Sequence, residues 1–157
     1  MRKIRKKYKT PTKGWSKERI ERERETVKTY GLKKKREIWR SETFSRKFRR
    51  LARELAARTN KEKEKVLIEK LVRYGLLNEG NTLDDVLSLT TEKFLERRLQ
   101  TILVRKGLCT TPKQARQMIV HGHVMINGRR ISYPSYLVTK SEEDKIQMNI
   151  QIKKATI

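Results

Sequence analysis

Residues 114–130 read QARQMIVHGHVMINGRR, bringing two histidines, three arginines and an Asn-Gly pair into seventeen positions. An H-x-H pair such as His121 and His123 offers two imidazoles to a metal, but a site needs one or two further ligands. No cysteine, histidine or acidic cluster nearby completes such a set, because these are the only histidines and Cys109 is the only cysteine. The pair therefore reads as a cation near a helix C-terminus, His121, with His123 on the strand beside it, both suited to a phosphate. Neither a metal nor a cofactor is expected.

Other reactive chemistry is equally thin. Cys109 has no histidine or carboxylate near it in sequence and reads as a small apolar residue rather than a reactive thiol. A single cysteine also rules out an internal disulfide and suits a reducing compartment. Carboxylates such as Glu18 lie at helical spacing from basic residues such as Arg22, the pattern of a salt-bridged surface rather than of a general acid and base. No glycine-rich phosphate loop is present. An enzyme is not the expected reading.

Positive charge is what the chain has in quantity. Its 41 Lys and Arg against 18 Asp and Glu give a formal net charge of +23 and a pI near 10.5, and self-repulsion on that scale calls for an anionic partner. Apolar runs are only a few residues long, as at Val66 to Ile68, so nucleic acid fits better than a membrane and a soluble, cytoplasmic chain is expected. Splitting the chain after Asn60 puts 23 basic and 7 acidic residues in the first part, net +16, and net +7 in the remainder. Aromatic residues are sparse, at 6%, which favours reading the shape and phosphates of folded RNA over splayed bases. Trp39 is read as a helix-packing residue, Trp15 as an anchor for the arm, and Tyr133 and Tyr136 as core or rim.

The elements that must position these residues follow from period and punctuation. Residues 1–15, with seven basic side chains including Lys6 and Lys7, show no apolar period and form an extended basic arm. Residues 16–93 read as a helical domain. Ser16 caps a helix that runs to Tyr30 and stops at Gly31. A long helix follows within 33–58, with Phe44, Phe48, Leu51 and Leu55 as its inward stripe. Lys34, Lys35, Arg36, Arg40, Arg46, Lys47, Arg49, Arg50 and Arg53 on its other faces read as phosphate-facing. A third helix from Glu62 to Tyr74 turns Val66, Leu67, Leu71 and Val72 inward. After one short turn capped by Thr82, a single helix spans Glu92 to Lys106, and a second opens at Thr111-Pro112 with Ala115, Met118 and Ile119 inward. The period then changes to two: Val124 and Ile126 lead into an Asn127-Gly128 hairpin turn, and Ile131 returns opposite Val124. Ile146, Met148, Ile150 and Ile152 alternate as a last strand, so 94–152 reads as two helices on a short antiparallel sheet, with 153–157 as a tail. The fold class is α+β.

The segments FLERRLQTILVRKGL, TPKQARQMIVHGHVMINGRRI and PSYLV resemble the small RNA-binding module named after the fourth protein of the small ribosomal subunit, S-four. With YGLKKKREIWRSE at 30–42, nearly the whole chain is similar to the archaeal and eukaryotic form of the S-four ribosomal protein family. The resemblance implies a structural constituent of the small subunit. Such a protein is a primary binder of small-subunit ribosomal RNA at a multi-helix junction of the 5′ domain, acts early in assembly, and lies near the mRNA entry path beside neighbouring ribosomal proteins. It places RNA-binding roles on Arg97, Arg98, Lys113, Gln114, Arg116, Gln117, His121, His123 and Asn127. The zinc site of some bacterial members has no counterpart in this sequence.

The residues support that face independently. Lys113, Arg116 and Gln117 share one helical side, and the helix start at Thr111 offers free backbone N–H groups. Arg129 and Arg130 follow the turn and either reach RNA or stay solvated. Two alternatives share the module: a small-subunit assembly factor, and the RNA-recognition part of an RNA-modifying enzyme.

Overall fold

The computed structural model describes residues 6–58 and 60–149. The first residues of the arm, Ile150 and Ile152 of the expected last strand, and the 153–157 tail lie outside them. The architecture is α+β. Helices α1 (Lys17–Thr29), α2 (Arg36–Arg58), α3 (Lys61–Arg73), α4 (Leu83–Leu87) and α5 (Thr91–Glu96) precede α6 (Leu99–Arg105) and α7 (Pro112–Val120). A small antiparallel sheet of β1 (Val124–Ile126), β2 (Arg129–Arg130) and β3 (Ile146–Met148) follows in the order β2-β1-β3, with a one-turn helix α8 (Lys140–Glu143) before its last strand.

Two apolar clusters form the main core. Phe48, Ala52, Leu67, Leu71, Val86, Leu89 and Phe94 pack among the helices α2 to α5, where the Phe48 and Phe94 rings stack at 5.9 Å. Leu99, Ile102, Leu103, Ala115, Ile119, Val124, Ile126, Val138 and Ile146 pack α6 and α7 onto the sheet, with Cys109 buried among them. A smaller cluster, Leu32, Ile38 and Leu95, joins the segment after α1 to α2 and α5.

The inward face of α2 is rotated from the expected stripe. Its buried residues are Ile38, Ser45, Phe48 and Ala52, because small side chains at 45 and 52 let α4 and α5 approach closely; the Ser45 hydroxyl donates to the Leu89 carbonyl at 3.0 Å. Phe44 is left exposed. On α3, Leu67 and Leu71 are buried while Val66, one position round the helix, is 64% exposed. Trp15 is not an anchor either. The Tyr8 ring instead packs on Trp39 at 5.9 Å, and the Lys9 amide donates to Thr43 Oγ1 at 3.1 Å, so Trp39 holds the arm.

The single helix expected from Glu92 to Lys106 is two helices. Arg97 and Arg98 leave the helical path because the segment 136–138 takes their hydrogen bonds: Leu99 N donates to the Tyr136 carbonyl at 2.8 Å, and Val138 N to the Arg97 carbonyl at 3.0 Å. This non-local pairing has no signature in the helical period.

The hairpin forms as its sequence dictates. Asn127 (φ 51°) and Gly128 (φ 74°) both occupy the left-handed region that a type I′ turn requires, and Ile131 N donates to the Val124 carbonyl at 3.0 Å. Gly31 carries a second backbone requirement. Its φ is +58°, and a Cβ there would lie 2.6 Å from the Pro112 Cβ at the start of α7. Gly31→Ala is expected to destabilise the chain by about 2 kcal/mol or more through backbone strain and this clash. Urea unfolding would measure it, and an unchanged midpoint would contradict the packing of loop 30–35 on α7.

Candidate nucleic-acid interface

Glu37 is the only carboxylate between Glu25 and Glu42, and it sits on the first turn of α2 where loop 30–35 meets α7. Arg98 donates to its Oε2 at 2.5 Å, and Arg116 grips both oxygens at 3.1 Å each. The Lys33 and Lys34 amides add donors to Oε1 at 3.2 and 3.4 Å. Gln100 completes the joint: its side-chain amide reaches the Gly31 and Pro112 carbonyls at 3.0 and 2.8 Å. Glu37 is 17% exposed and the Arg98 side chain 5%. Burial alone would raise the Glu37 carboxyl, but hydrogen bonds from Arg116 and Arg98, and then their charges, outweigh it and hold the group at about 2.

Two further carboxylates are folded inward. Glu143 accepts from Arg97 at 2.7 Å and from Arg105 at 2.6 Å, while Arg97 also donates to the Val138 carbonyl at 3.0 Å and the Lys106 amine to the Glu143 carbonyl. Glu23, 4% exposed, is held by Arg19 at 3.2 Å, Lys35 at 3.0 Å and the Trp39 indole N–H at 3.0 Å. Burial works against both ionised groups, and their donors still keep them below the usual carboxylate range. Each such arrangement spends acid on the inside of a strongly basic chain.

The proposed RNA contacts divide accordingly. Arg97 and Arg98 are buried, and Arg116 is half-buried with its guanidinium given to Glu37 and Gln100. Their observed contacts are internal, on the inner side of a joint, where the resemblance assigns Arg97 and Arg98, and the resemblance and helical spacing together Arg116, to RNA. Lys35 likewise points to Glu23. Gln114 accepts from the Thr110 amide and hydroxyl at 3.0 and 2.7 Å, and the Thr111 hydroxyl accepts the Gln114 amide as the α7 cap. Lys113, Gln117, His121, Asn127, Arg129 and Arg130 are exposed, and His123 is half-buried. The two imidazoles stack nearly parallel, 6.2 Å apart. Among the described residues no three of His, Cys, Asp and Glu converge.

Arg130 lies over the glycine exit of α7. Its Nη2 donates to the His121 carbonyl at 2.7 Å, and a Cβ on Gly122 would fall 1.9 Å from its Nε. The bare glycine gives the guanidinium its seat, and the arginine satisfies a carbonyl at the helix end.

On the helical side, Lys6, Lys7, Lys34, Arg36, Arg40, Lys47, Arg50, Arg53 and Arg46 are exposed and Arg49 half-buried. Arg46 and Arg50 pair with Glu42 and Glu54 one turn away, at 3.0 and 2.9 Å, in solvent. Such exposed pairs hold little and exchange readily for phosphate. Arg40 stands one turn from Glu37 and Lys113 one turn before Arg116, so cations with no ion pair among the described residues flank the joint from both bodies. Spacing missed Glu37, Gln100 and Glu143. A lone acid inside KKKREIWR was the one signal available for the first.

Residues 97–144 match the S4 domain. Over 149 residues the chain is 52% identical to small ribosomal subunit protein uS4 of Methanothermobacter thermautotrophicus, covering 92% of this chain and 86% of that protein. The uS4 of Methanococcus aeolicus is 55% identical, at 92% and 84% coverage, and that of Nanoarchaeum equitans 53%, at 91% and 82%. The chain belongs to the uS4 family. Its relatives are ribosomal proteins of archaeal type, and the family is structural rather than enzymatic. The S4 domain match begins at Arg97, within the break between α5 and α6.

In this uS4-family chain the joint predicts an acid signature. A carboxylate depressed in the fold contributes stability above its unfolded value, near 4.5, and loses it as pH falls toward about 2. Glu37→Gln is expected to cost about 3–5 kcal/mol at neutral pH by leaving guanidiniums uncompensated, and to flatten the loss of stability between those values. Unfolding followed across pH checks both; a variant as stable as the parent, with the same acid profile, would contradict the geometry.

Proposed function

We propose that this chain is a structural constituent of the small ribosomal subunit, binding small-subunit ribosomal RNA by its phosphates and shape in the cytoplasm. The carrying observation is the direction of its charge: Glu23, Glu37 and Glu143 are drawn inward by ion pairs, while Lys34, Arg36, Arg40, Lys47 and Arg53 along α2 and Lys113, Gln117, Asn127 and Arg129 on the module stay on the surface. The proposed contact surface is therefore α2 with the exposed edge of α7 and the hairpin, joined through Glu37. Lys6 and Lys7 extend it along the arm, with His121, His123 and Arg130 at the end of α7. Arg97, Arg98 and Arg116 serve it from beneath, as residues that hold the two bodies at a fixed angle.

In this reading the chain is a primary binder. It engages a junction of several RNA helices in the 5′ domain, acts early in assembly, and sits near the mRNA entry path among neighbouring small-subunit proteins. The basic arm, the helical body 16–93 and the module 94–152 act as three contributions to one surface. No helix among the described residues is long and apolar enough to cross a membrane.

Roughly eight phosphate contacts give an expected slope of about −6 to −7 for log K against log salt on a 5′-domain transcript. Arg40→Ala, Lys47→Ala and Arg53→Ala should each flatten it by about 1. Filter binding across salt measures this; a slope near zero overturns the electrostatic account. Cosedimentation with mature small subunits separates a constituent from an assembly factor, which would be absent from them.

A further inference from the structure

Trp15 is 94% exposed, the largest exposure among the bulky apolar residues of the described chain. It is nevertheless on a held segment. At one end Tyr8 packs on Trp39 and the Lys9 amide bonds Thr43; at the other, Arg19 donates to the Gly14 carbonyl at 3.0 Å, just before α1 begins. The strap held at those points, residues 6–17, carries Lys6, Lys7, Lys9, Lys13 and Lys17, all exposed, and contains no carboxylate. None of these lysines makes an ion pair among the described residues. The strap also runs against the start of α2, where Arg36 and Arg40 are exposed, and so continues the proposed contact surface.

An indole standing in water amid uncompensated lysines has a narrow choice of partner. An apolar pocket on a protein would have to accept the lysines on either side of it as well. A nucleobase offers an aromatic face for the ring and a phosphate for each neighbouring ammonium, and stacking tolerates any base because each has a π-face. Phosphate contacts elsewhere on the chain bring the RNA to the strap, and Trp15 then covers its apolar surface on an unpaired base.

We propose that Trp15 is a base-stacking residue, closing on an unpaired nucleotide of the ribosomal RNA while the flanking lysines hold its phosphates. This rests on the proposed RNA-binding function and adds to it one contact that is not electrostatic. The full-length chain and a transcript of the 5′ domain of small-subunit ribosomal RNA serve as the test. Trp15→Ala should lower affinity about 5- to 150-fold, the range for loss of one stacked base, with Trp15→Phe keeping most of it. Because an indole releases no counterions, the salt slope should stay unchanged in Trp15→Ala, whereas Lys13→Ala should reduce it by about 1. Indole emission should be quenched on binding, and the quenched part should be missing from Trp15→Phe, which retains Trp39. Parental affinity in Trp15→Ala, or unquenched Trp15 in an RNA-saturated complex, overturns the proposal while leaving RNA binding standing. Protection of Trp15 only where a protein neighbour is present overturns it too. Failure of the parent chain to bind the transcript removes the proposed function itself.

Discussion

A single carboxylate shared by two guanidiniums decides how this chain is put together. Glu37 belongs to α2, Arg98 to the break before α6, and Arg116 to α7, so their contact ties the helical body to the module. The ion pairs are sheltered, and desolvation offsets much of their attraction; what such a group contributes is mainly direction, since any other packing leaves a charge unmatched. Gln100 adds fixed geometry by bonding backbone carbonyls on both sides of the seam. Gly31, lacking a side chain, lets Pro112 come close enough for this to happen.

The same economy explains a chain of net charge +23 that still folds. Acidic residues are few, and three of them are used where they hold the most structure: Glu23 joining α1 to the start of α2, Glu37 at the seam, Glu143 beneath the break between α5 and α6. The cations they neutralise become structural, and most of those left over face outward, some in exposed pairs with a carboxylate one turn away. Repulsion among them is tolerable because an RNA partner relieves it. Fold and function thus draw on one pool of arginines and lysines, divided by where the carboxylates sit.

Much of the architecture was legible in the sequence because it is local. The Asn127-Gly128 hairpin, the Thr111-Pro112 helix start and the glycine stop at 31 each follow from backbone requirements of one or two residues. What was illegible is non-local. The break at Arg97-Arg98 needs the 136–138 segment, the true inner face of α2 needs the close approach of α4 and α5, and Val66 looked like core only because its neighbours are apolar. The candidate site divided in the same way: spacing placed Lys113, Gln117 and Asn127 on the surface, but could not tell that Arg97, Arg98 and Arg116 were spoken for by Glu143 and Glu37. A basic residue at helical spacing looks alike whether its partner is a phosphate or a carboxylate 79 positions away.

The Glu37 joint makes the helical body and the module one unit. Native-state amide hydrogen exchange on the free protein tests it most directly. Amides in α2 around Ile38 and in α6 and α7 around Leu103 and Ile119 are expected to open together with one common free energy, and to be weakened together when Glu37 is replaced by glutamine. Exchange in which α6 and α7 keep their full protection while α2 alone loosens, or in which the two bodies open with separate free energies in the parent, would contradict it.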